Sequence, residues 1–236
     1  MLVRKLETRS RLSPDDKAAI LDLPVTVRRV SRSSYLLREG EPPTICSVLV
    51  DGFAFRQKLT SEGARQIVSI HMPGDALDFQ ALFLAVSDHN IQTLSNAEIA
   101  AVPSAAVRDL MAQRPAVGAA IQADVVVEAS ILREWLTNVG RRQAQPRLAH
   151  LLCEFATRID AQGLRHGDSY ELPMIQEQIG DALGLTSVHI NRTLKAMESA
   201  GLIRRTGRSI AFPNIDALRA VAGFSPLYLH LGSQGV

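Results

Sequence analysis

The side chains best placed to do chemistry in this chain lie between Thr186 and Phe212. Thr186 follows a very short turn and suits a helix N-cap, because its hydroxyl accepts hydrogen bonds from first-turn N–H groups. After it Ile190, Leu194 and Met197 recur at helical spacing and predict a buried stripe, and Gly201 predicts the stop. At about 100° per residue, Val188, Arg192, Lys195 and Ser199 project from the opposite side, with His189 and Asn191 flanking. A guanidinium matches guanine O6 and N7 bidentately, and an exposed apolar group meets a thymine methyl. The expected DNA-contacting set is therefore Thr186, Ser187, Val188, His189, Asn191, Arg192 and Lys195, with Arg208 on phosphate.

Arg208 belongs to the next segment of the chain, where Leu202–Arg205, a Thr206-Gly207-Arg208 turn and Ser209–Phe212 make a tight hairpin that fits a wing. Arg204, Arg205 and Arg208 lie on or beside it, placed for the flanking backbone. From Thr186 to Phe212 the charges are Arg192, Lys195, Arg204, Arg205 and Arg208 against Glu198 alone. The whole chain of 236 residues has a net charge of only +2, so the basic excess is local. Ahead of it Met174 to Leu183 predicts a helix with Ile175, Ile179 and Leu183 on one stripe, stopped by Gly184.

These parts need a scaffold. Ser13, Pro14, Asp15 and Asp16 open a short helix to Leu21. From Val25 to Val102 short β-rich runs alternate with turns at Gly40, Asp51-Gly52, Ser61-Glu62-Gly63 and Pro73-Gly74-Asp75, which predicts a small antiparallel sandwich or barrel. A helix over Pro103 to Met111 comes next, then a long one from Pro115 to the hinge at Gly140-Arg141-Arg142. At about 25 residues, roughly 37 Å, it is longer than a small domain needs. Gly118, Val125, Leu132 and Val139 share one heptad position and Ile121, Glu128 and Trp135 the other, which predicts a parallel two-helix contact between copies. The expected dimer set is Ile121, Val125, Glu128, Leu132, Trp135 and Val139. Pro146 starts a further helix with Leu148, Leu151, Leu152, Phe155 and Ile159 on its apolar face, and a loop is expected over 163–167.

Ile179-Gly-Asp-Ala-Leu-Gly-Leu-Thr-Ser-Val-His-Ile-Asn-Arg-Thr-Leu-Lys-Ala-Met-Glu-Ser-Ala-Gly-Leu-Ile203 resembles the helix-turn-helix of the Crp/Fnr family of bacterial transcription regulators. Leu37-Arg-Glu-Gly40, Val48-Leu-Val-Asp-Gly52, Gly63 and Pro73-Gly-Asp75 resemble the turns of cyclic-nucleotide-binding barrels. The resemblance covers nearly the whole chain. It implies an α+β protein: an N-terminal jelly-roll β-barrel over 1–113, a dimerisation helix and hinge over 114–142, and a winged helix-turn-helix over 143–236. It implies a cytoplasmic homodimer on a palindromic double-stranded operator, with RNA polymerase as a further partner of an activator. It makes Arg192 the base-reading arginine, while Val188 stands where the family commonly has glutamate.

By the same resemblance the effector pocket departs from the nucleotide-binding pattern. Asp78-Phe79 replace the Gly-Glu pair that holds the ribose, and Ser87-Asp88 the Arg-Ser/Thr pair that holds the phosphate. Cyclic AMP is therefore not expected, and no cofactor is. Lys58 and Arg65 are the cations that neighbouring strands offer as substitutes. Iron–sulfur sensing lacks its N-terminal cysteine cluster, since only Cys46 and Cys153 are present, both expected as buried small hydrophobes. His71 and His89 are expected as surface or turn residues rather than metal ligands, and no catalytic dyad or phosphate loop supports an enzyme. The N-terminal segment does not read as a signal peptide and no stretch is expected to span a bilayer. The alternative is a small-molecule or cyclic-nucleotide sensor whose winged helix binds a protein partner.

Overall fold

The computed structural model describes residues 2–165 and 169–232. The first elements are α1 (Leu2–Glu7) and α2 (Pro14–Leu21), and Ser13 and Asp16 close a reciprocal capping box at the start of α2. Seven strands come next: β1 (Thr26–Val30), β2 (Tyr35–Leu37), β3 (Ile45–Asp51), β4 (Ala54–Leu59), β5 (Arg65–His71), β6 (Asn90–Thr93) and β7 (Ala97–Pro103). They form two antiparallel sheets, ordered β1-β7-β3 and β2-β6-β4-β5. The expected barrel is thus an open pair of sheets rather than a closed cylinder. Its core is Leu49, Ala54, Leu77, Ile91, Ala97 and Ile99, with Leu49 paired to Ile99 across β3 and β7. Gly52 turns the β3–β4 hairpin at φ 82°, where a Cβ would sit 2.3 Å from the Asn96 carbonyl oxygen.

A 3-10 turn at Phe79–Leu82 lies between β5 and β6. After β7 come α3 (Ser104–Gln113) and the 27-residue α4 (Pro115–Arg141), then α5 (Ala144–Gln162), which begins two residues before Pro146. The rest is β8 (Ser169–Glu171), α6 (Gln176–Leu183), α7 (Ser187–Ser199), β9 (Arg204–Thr206), β10 (Ser209–Ala211), α8 (Ile215–Ala222) and a 3-10 turn at Pro226–Leu229. The expected wing hairpin is β9–β10, and β8, unforeseen in the sequence, adds a third strand on the other side of β10. Part of the loop expected over 163–167 lies outside the described residues.

Backbone contacts divide the chain into two compact units. One holds residues 1–58, 69–130 and 230–236; the other holds 59–68 and 131–229. The division falls inside α4, and each unit packs its own stretch of that helix. In the first unit Val117, Ala120 and Ile121 join the cluster of Leu6, Phe79 and Val107, with Val125 against its edge. In the second, the Trp135 indole donates to buried Glu154 on α5 at 2.9 Å, and Val139 lies against Gly184.

Within the chain, α4 packs several members of the expected dimer set. Ile121, Glu128 and Trp135 are committed within the chain, Val125 and Val139 are half-buried, and only Leu132 of the set is exposed. The outward apolar side chains are Val126, Leu132 and Leu136, with Ala119, Gln122 and Ala129 on the same open stripe. Much of the heptad set thus faces the protein's own elements, Leu132 excepted. The open stripe lies one residue along, about 100° around the helix. By length and composition alone α4 also meets the requirement for crossing a membrane, contrary to expectation, because Gln122 and Asp124 lower its mean hydropathy too little. Its Asp124 is buried in ion pairs with Lys5 (3.4 Å) and Arg9 (3.0 Å), which is protein packing rather than lipid exposure.

Candidate nucleic-acid interface

The two helices α6 and α7 are joined by three residues whose geometry the sequence dictates. Gly184 ends α6 in the left-handed conformation at φ 63°, and Leu185 N–H returns to the Gly180 carbonyl at 3.0 Å. A Cβ on Gly180 would lie 2.4 Å from the Leu185 oxygen, so only glycine lets the turn close onto α6. Thr186 caps α7, its Oγ1 accepting from His189 N–H at 3.2 Å. Ile190, Leu194 and Met197 form the buried stripe as expected; so do Ile179 and Leu183 on α6. Ile175 does not, because α6 starts two residues later than expected and Ile175 is its half-exposed N-cap.

The other face of α7 is open. Thr186, Ser187, Val188, Arg192 and Lys195 are exposed, with Val188 at 78 % of its full accessibility, and His189 and Asn191 are half-buried beside them. Among the described residues, Arg192, Lys195 and Arg204 make no hydrogen bond or ion pair. The other wing cations differ. Arg205 is held by Glu198 at 2.6 Å, which also keeps that carboxyl below its usual range. Arg208 reaches the Pro173 carbonyl at 3.3 Å and approaches Glu171 at 3.7 Å, exposed throughout. A cleft of about 570 Å³ runs beside α7, lined by Gln143, Pro146, His189, Arg192, Thr193 and Val221. Gln143 caps α5 there without a side-chain hydrogen bond, which leaves the Ala144 and Gln145 N–H groups without a capping acceptor.

The helix pair is tied to the end of α4. Arg147 donates to the Leu183 carbonyl (2.7 Å) and, twice, to the Arg142 carbonyl, joining the C-terminal ends of α6 and α4. Glu154 receives the Trp135 indole and the Tyr228 hydroxyl (2.8 Å), and burial pushes its carboxyl pKa up. His150, buried between Phe224 and Tyr228, lies 3.1 Å from Glu134. Burial pushes its imidazole down to about 4. Cys153 and Cys46 are both buried thiols raised to about 12, as their apolar positions predict.

Two family models match: the Crp-like helix-turn-helix domain over residues 146–221 and the cyclic nucleotide-binding domain over residues 27–114. The chain belongs to the Crp/Fnr family of transcription regulators. Relatives include the anaerobic regulatory protein of Aggregatibacter actinomycetemcomitans, 25% identical over 82% of this chain and 75% of that protein. The fumarate and nitrate reduction regulatory protein of Salmonella typhimurium is 24% identical over 82% of this chain and 77% of its own length. Among solved structures, FixK2 from Bradyrhizobium japonicum superposes with a TM-score of 0.79 at 24% identity, over 86% of this chain and all of that one. This Crp/Fnr protein is a DNA-binding transcription regulator, and dimeric DNA binding is typical of its family. Its relatives are soluble regulators rather than enzymes.

The β-domain of this Crp/Fnr regulator arranges the expected pocket residues differently. Asp78, Phe79 and Ser87 are buried, but Asp88 is on the surface, its carboxylate 2.7 Å from His89 Nδ1. Phe79 is spent in the hydrophobic cluster, and Ser87 Oγ donates to the His89 carbonyl at 2.9 Å. Of the four, only Asp78 lines the cavity of about 240 Å³ in this domain, beside Leu36, Leu37, Leu77 and Ile91. Both substitute cations are engaged elsewhere: Lys58 with Glu39, and Arg65 with Asp181 at 2.6 Å. His71 and His89, expected near the surface, are buried. The buried cation is Arg56, which the sequence reading missed. It donates to the Leu77 carbonyl at 2.7 Å and to Glu128 at 3.4 Å, and lies 3.8 Å from Asp78. Burial raises the carboxyl pKa of Asp78 and of Glu128, and the guanidinium of Arg56 opposes both shifts. Burial, then the Arg56 charge, lowers that of His89. The available signal was a charged residue between Phe55 and Gln57 in a strand whose alternation fails, all three being buried.

Proposed function

We propose that this protein binds a two-fold symmetric DNA operator as a homodimer, with one α7 in the major groove of each half-site. The carrying observation is the exposed α7 face, where Arg192 and Lys195 make no hydrogen bond or ion pair among the described residues and Val188 is open beside them. Arg192 is assigned to a guanine edge, Val188 to a thymine methyl, and Asn191 and His189 to neighbouring edges or phosphates. Thr186, Ser187, Lys195, Arg204 and Arg208 are assigned to the backbone, and the Ala144 and Gln145 N–H groups of α5 to a flanking phosphate. With Val188 in place of an acidic acceptor, the recognition helix lacks a partner for cytosine N4. The dimer contact is assigned to the Val126, Leu132 and Leu136 stripe of α4. Residues 1–113 then serve as the sensory part, 114–142 as dimer helix and hinge, and 143–236 as the DNA-binding part. An activator of this design would also contact RNA polymerase.

Anisotropy titrations on an operator selected from random-sequence DNA, beside a scrambled duplex, test this reading. The expected result is preference for the selected site and a log-linear fall of affinity with salt. Equal affinity for both duplexes would remove sequence reading, and a flat salt response would remove DNA as the partner.

A further inference from the structure

We infer that Arg56 is a built-in substitute for an effector: its guanidinium, not a bound ligand, joins the sensory sheet to α4 in the DNA-binding state. The inference rests on the DNA-binding function proposed for α7. Three elements meet at this one side chain, which is only 4 % exposed. Arg56 stands on β4; Leu77 and Asp78 lead into the 3-10 turn; Glu128 is on α4. From that turn Gln80 also donates to Glu128, at 3.0 Å. The carboxylate on α4 is therefore gripped from the strand and from the turn at once. Next to it Lys5 of α1 pairs with Asp75 (2.8 Å) and with Asp124, one turn before Glu128 on α4.

The electrostatics make the grip depend on the cation. Asp78 and Glu128 both lie near the Arg56 guanidinium, at 3.8 and 3.4 Å, and a buried carboxylate without a partner is costly. With Arg56 present each has a positive neighbour. Without it, both carboxyls lose that cation and α4 loses its link to β4, keeping only Gln80 on Glu128. Helix α4 runs unbroken from Pro115 to Arg141, so any displacement of Glu128 is a displacement of the helix that ends at the hinge. An incoming anionic nucleotide would have to compete with Asp78 and Glu128 for a guanidinium already engaged. Arg56 is accordingly a positioning residue, acting on DNA affinity through α4.

The test uses the full-length protein and the operator selected by wild type. Wild type is expected to bind without any added small molecule. Arg56→Ala should bind roughly 5- to 150-fold more weakly while remaining folded by circular dichroism. Millimolar guanidinium, a free copy of the missing group, should restore most of the loss, and sodium at equal ionic strength should not. Hydrogen exchange along α4 around Glu128 should quicken in the variant and slow again with guanidinium. Should Arg56→Ala fail to fold, Glu128→Met, of similar length but with no acceptor, removes the same link and must also weaken binding. The proposal is overturned if both variants bind within about twofold of wild type, or if wild type needs cyclic AMP or cyclic GMP to bind. A wild type that binds no DNA at all counts against the DNA-binding reading instead, and the guanidinium effect on α4 exchange then decides the role of Arg56.

Discussion

Arg56 in the sensory sheets and Arg192 on α7 are the same side chain put to opposite uses. Arg56 is buried among Leu77, Asp78 and Glu128; its two terminal nitrogens donate within the chain, while its Nε has no hydrogen-bond partner among the described residues. Arg192 is exposed and makes no hydrogen bond or ion pair among the described residues. A guanidinium taken from water must be matched at once, so a buried one records a contact already made. An exposed one keeps its fork solvated and available, and its partner belongs to another molecule. The two faces of α4 repeat the contrast. Trp135 and Glu128 are matched within the chain, and Val126, Leu132 and Leu136 are not.

The largest effect expected from that contrast is on assembly. Leu132→Asp with Leu136→Asp charges the open stripe without touching Trp135 or Glu128. It should give a folded monomer whose operator affinity falls by about 10²- to 10⁴-fold, because the second half-site no longer binds intramolecularly. Sedimentation and titration would show it. A variant that stays dimeric at micromolar concentration would move the seam elsewhere. The opposite change, Trp135→Phe, breaks the hydrogen bond to Glu154 and should lower stability while leaving the dimer intact.

Next in size is base reading. Arg192→Ala should cost about 1–3 kcal/mol on the selected operator and relax preference at one base pair per half-site. Because Arg192 holds nothing among the described residues, the thermal midpoint of the protein should not move. Equal weakening on selected and scrambled DNA would reduce Arg192 to a phosphate contact.

The contrast also explains what the sequence made legible. The α7 face could be read directly, because Thr186 fixes the cap and helical periodicity then separates Ile190, Leu194 and Met197 from Val188, Arg192 and Lys195. The Gly184 stop was legible for the same local reason. Gly180 was not, because its role lies in a contact with Leu185 created only when the turn closes. Periodicity likewise found a stripe on α4 but not its partner, since a heptad is equally satisfied by a second copy and by the protein's own sheets and α5. Arg56 and Glu128 are 72 residues apart, and their pairing arises from packing that no local pattern encodes. Asp88 was placed in the pocket by alignment, yet it lies in a bend before β6 that leaves it on the surface and turns His89 inward.

A smaller effect should appear with pH in the DNA-binding unit, where His150 is matched inward as a neutral ring. Its pKa is about 4 when folded, against an ordinary value of 6.5. Above both values neither state is charged and the group contributes nothing to pH dependence. Between them the unfolded chain takes up the proton and the folded one does not, so stability falls as pH falls, by at most about 1.4 kcal/mol per unit. Buried Glu154, whose pKa is raised, acts with the opposite sign in wild type and variant alike. Thermal unfolding of His150→Phe should therefore fall less steeply than wild type between pH 6.5 and 4. Parallel curves would show that His150 does not set this slope.

The smallest effect separates two adjacent arginines on β9. Arg204 is exposed and unpaired among the described residues; Arg205 is bound to Glu198 at 2.6 Å, so that pair carries no net charge toward DNA. Each phosphate neutralised by a cation releases counterions and adds about 0.9 to the log–log salt slope of duplex binding. If Arg204 meets a phosphate, Arg204→Ala should lower that slope by about 1, and weaken selected and scrambled DNA alike. Removing Arg205 alone would confuse the comparison by freeing the Glu198 carboxylate beside the duplex. The matched control replaces both partners, Arg205→Met with Glu198→Gln, which keeps the local charge at zero. That double variant should leave the slope unchanged, because no phosphate loses a cation. A slope drop as large as that of Arg204→Ala would mean that Arg205 leaves Glu198 on binding. The pairing seen in the free protein would then be a resting contact, and being matched within the chain would not suffice to keep a wing cation from DNA.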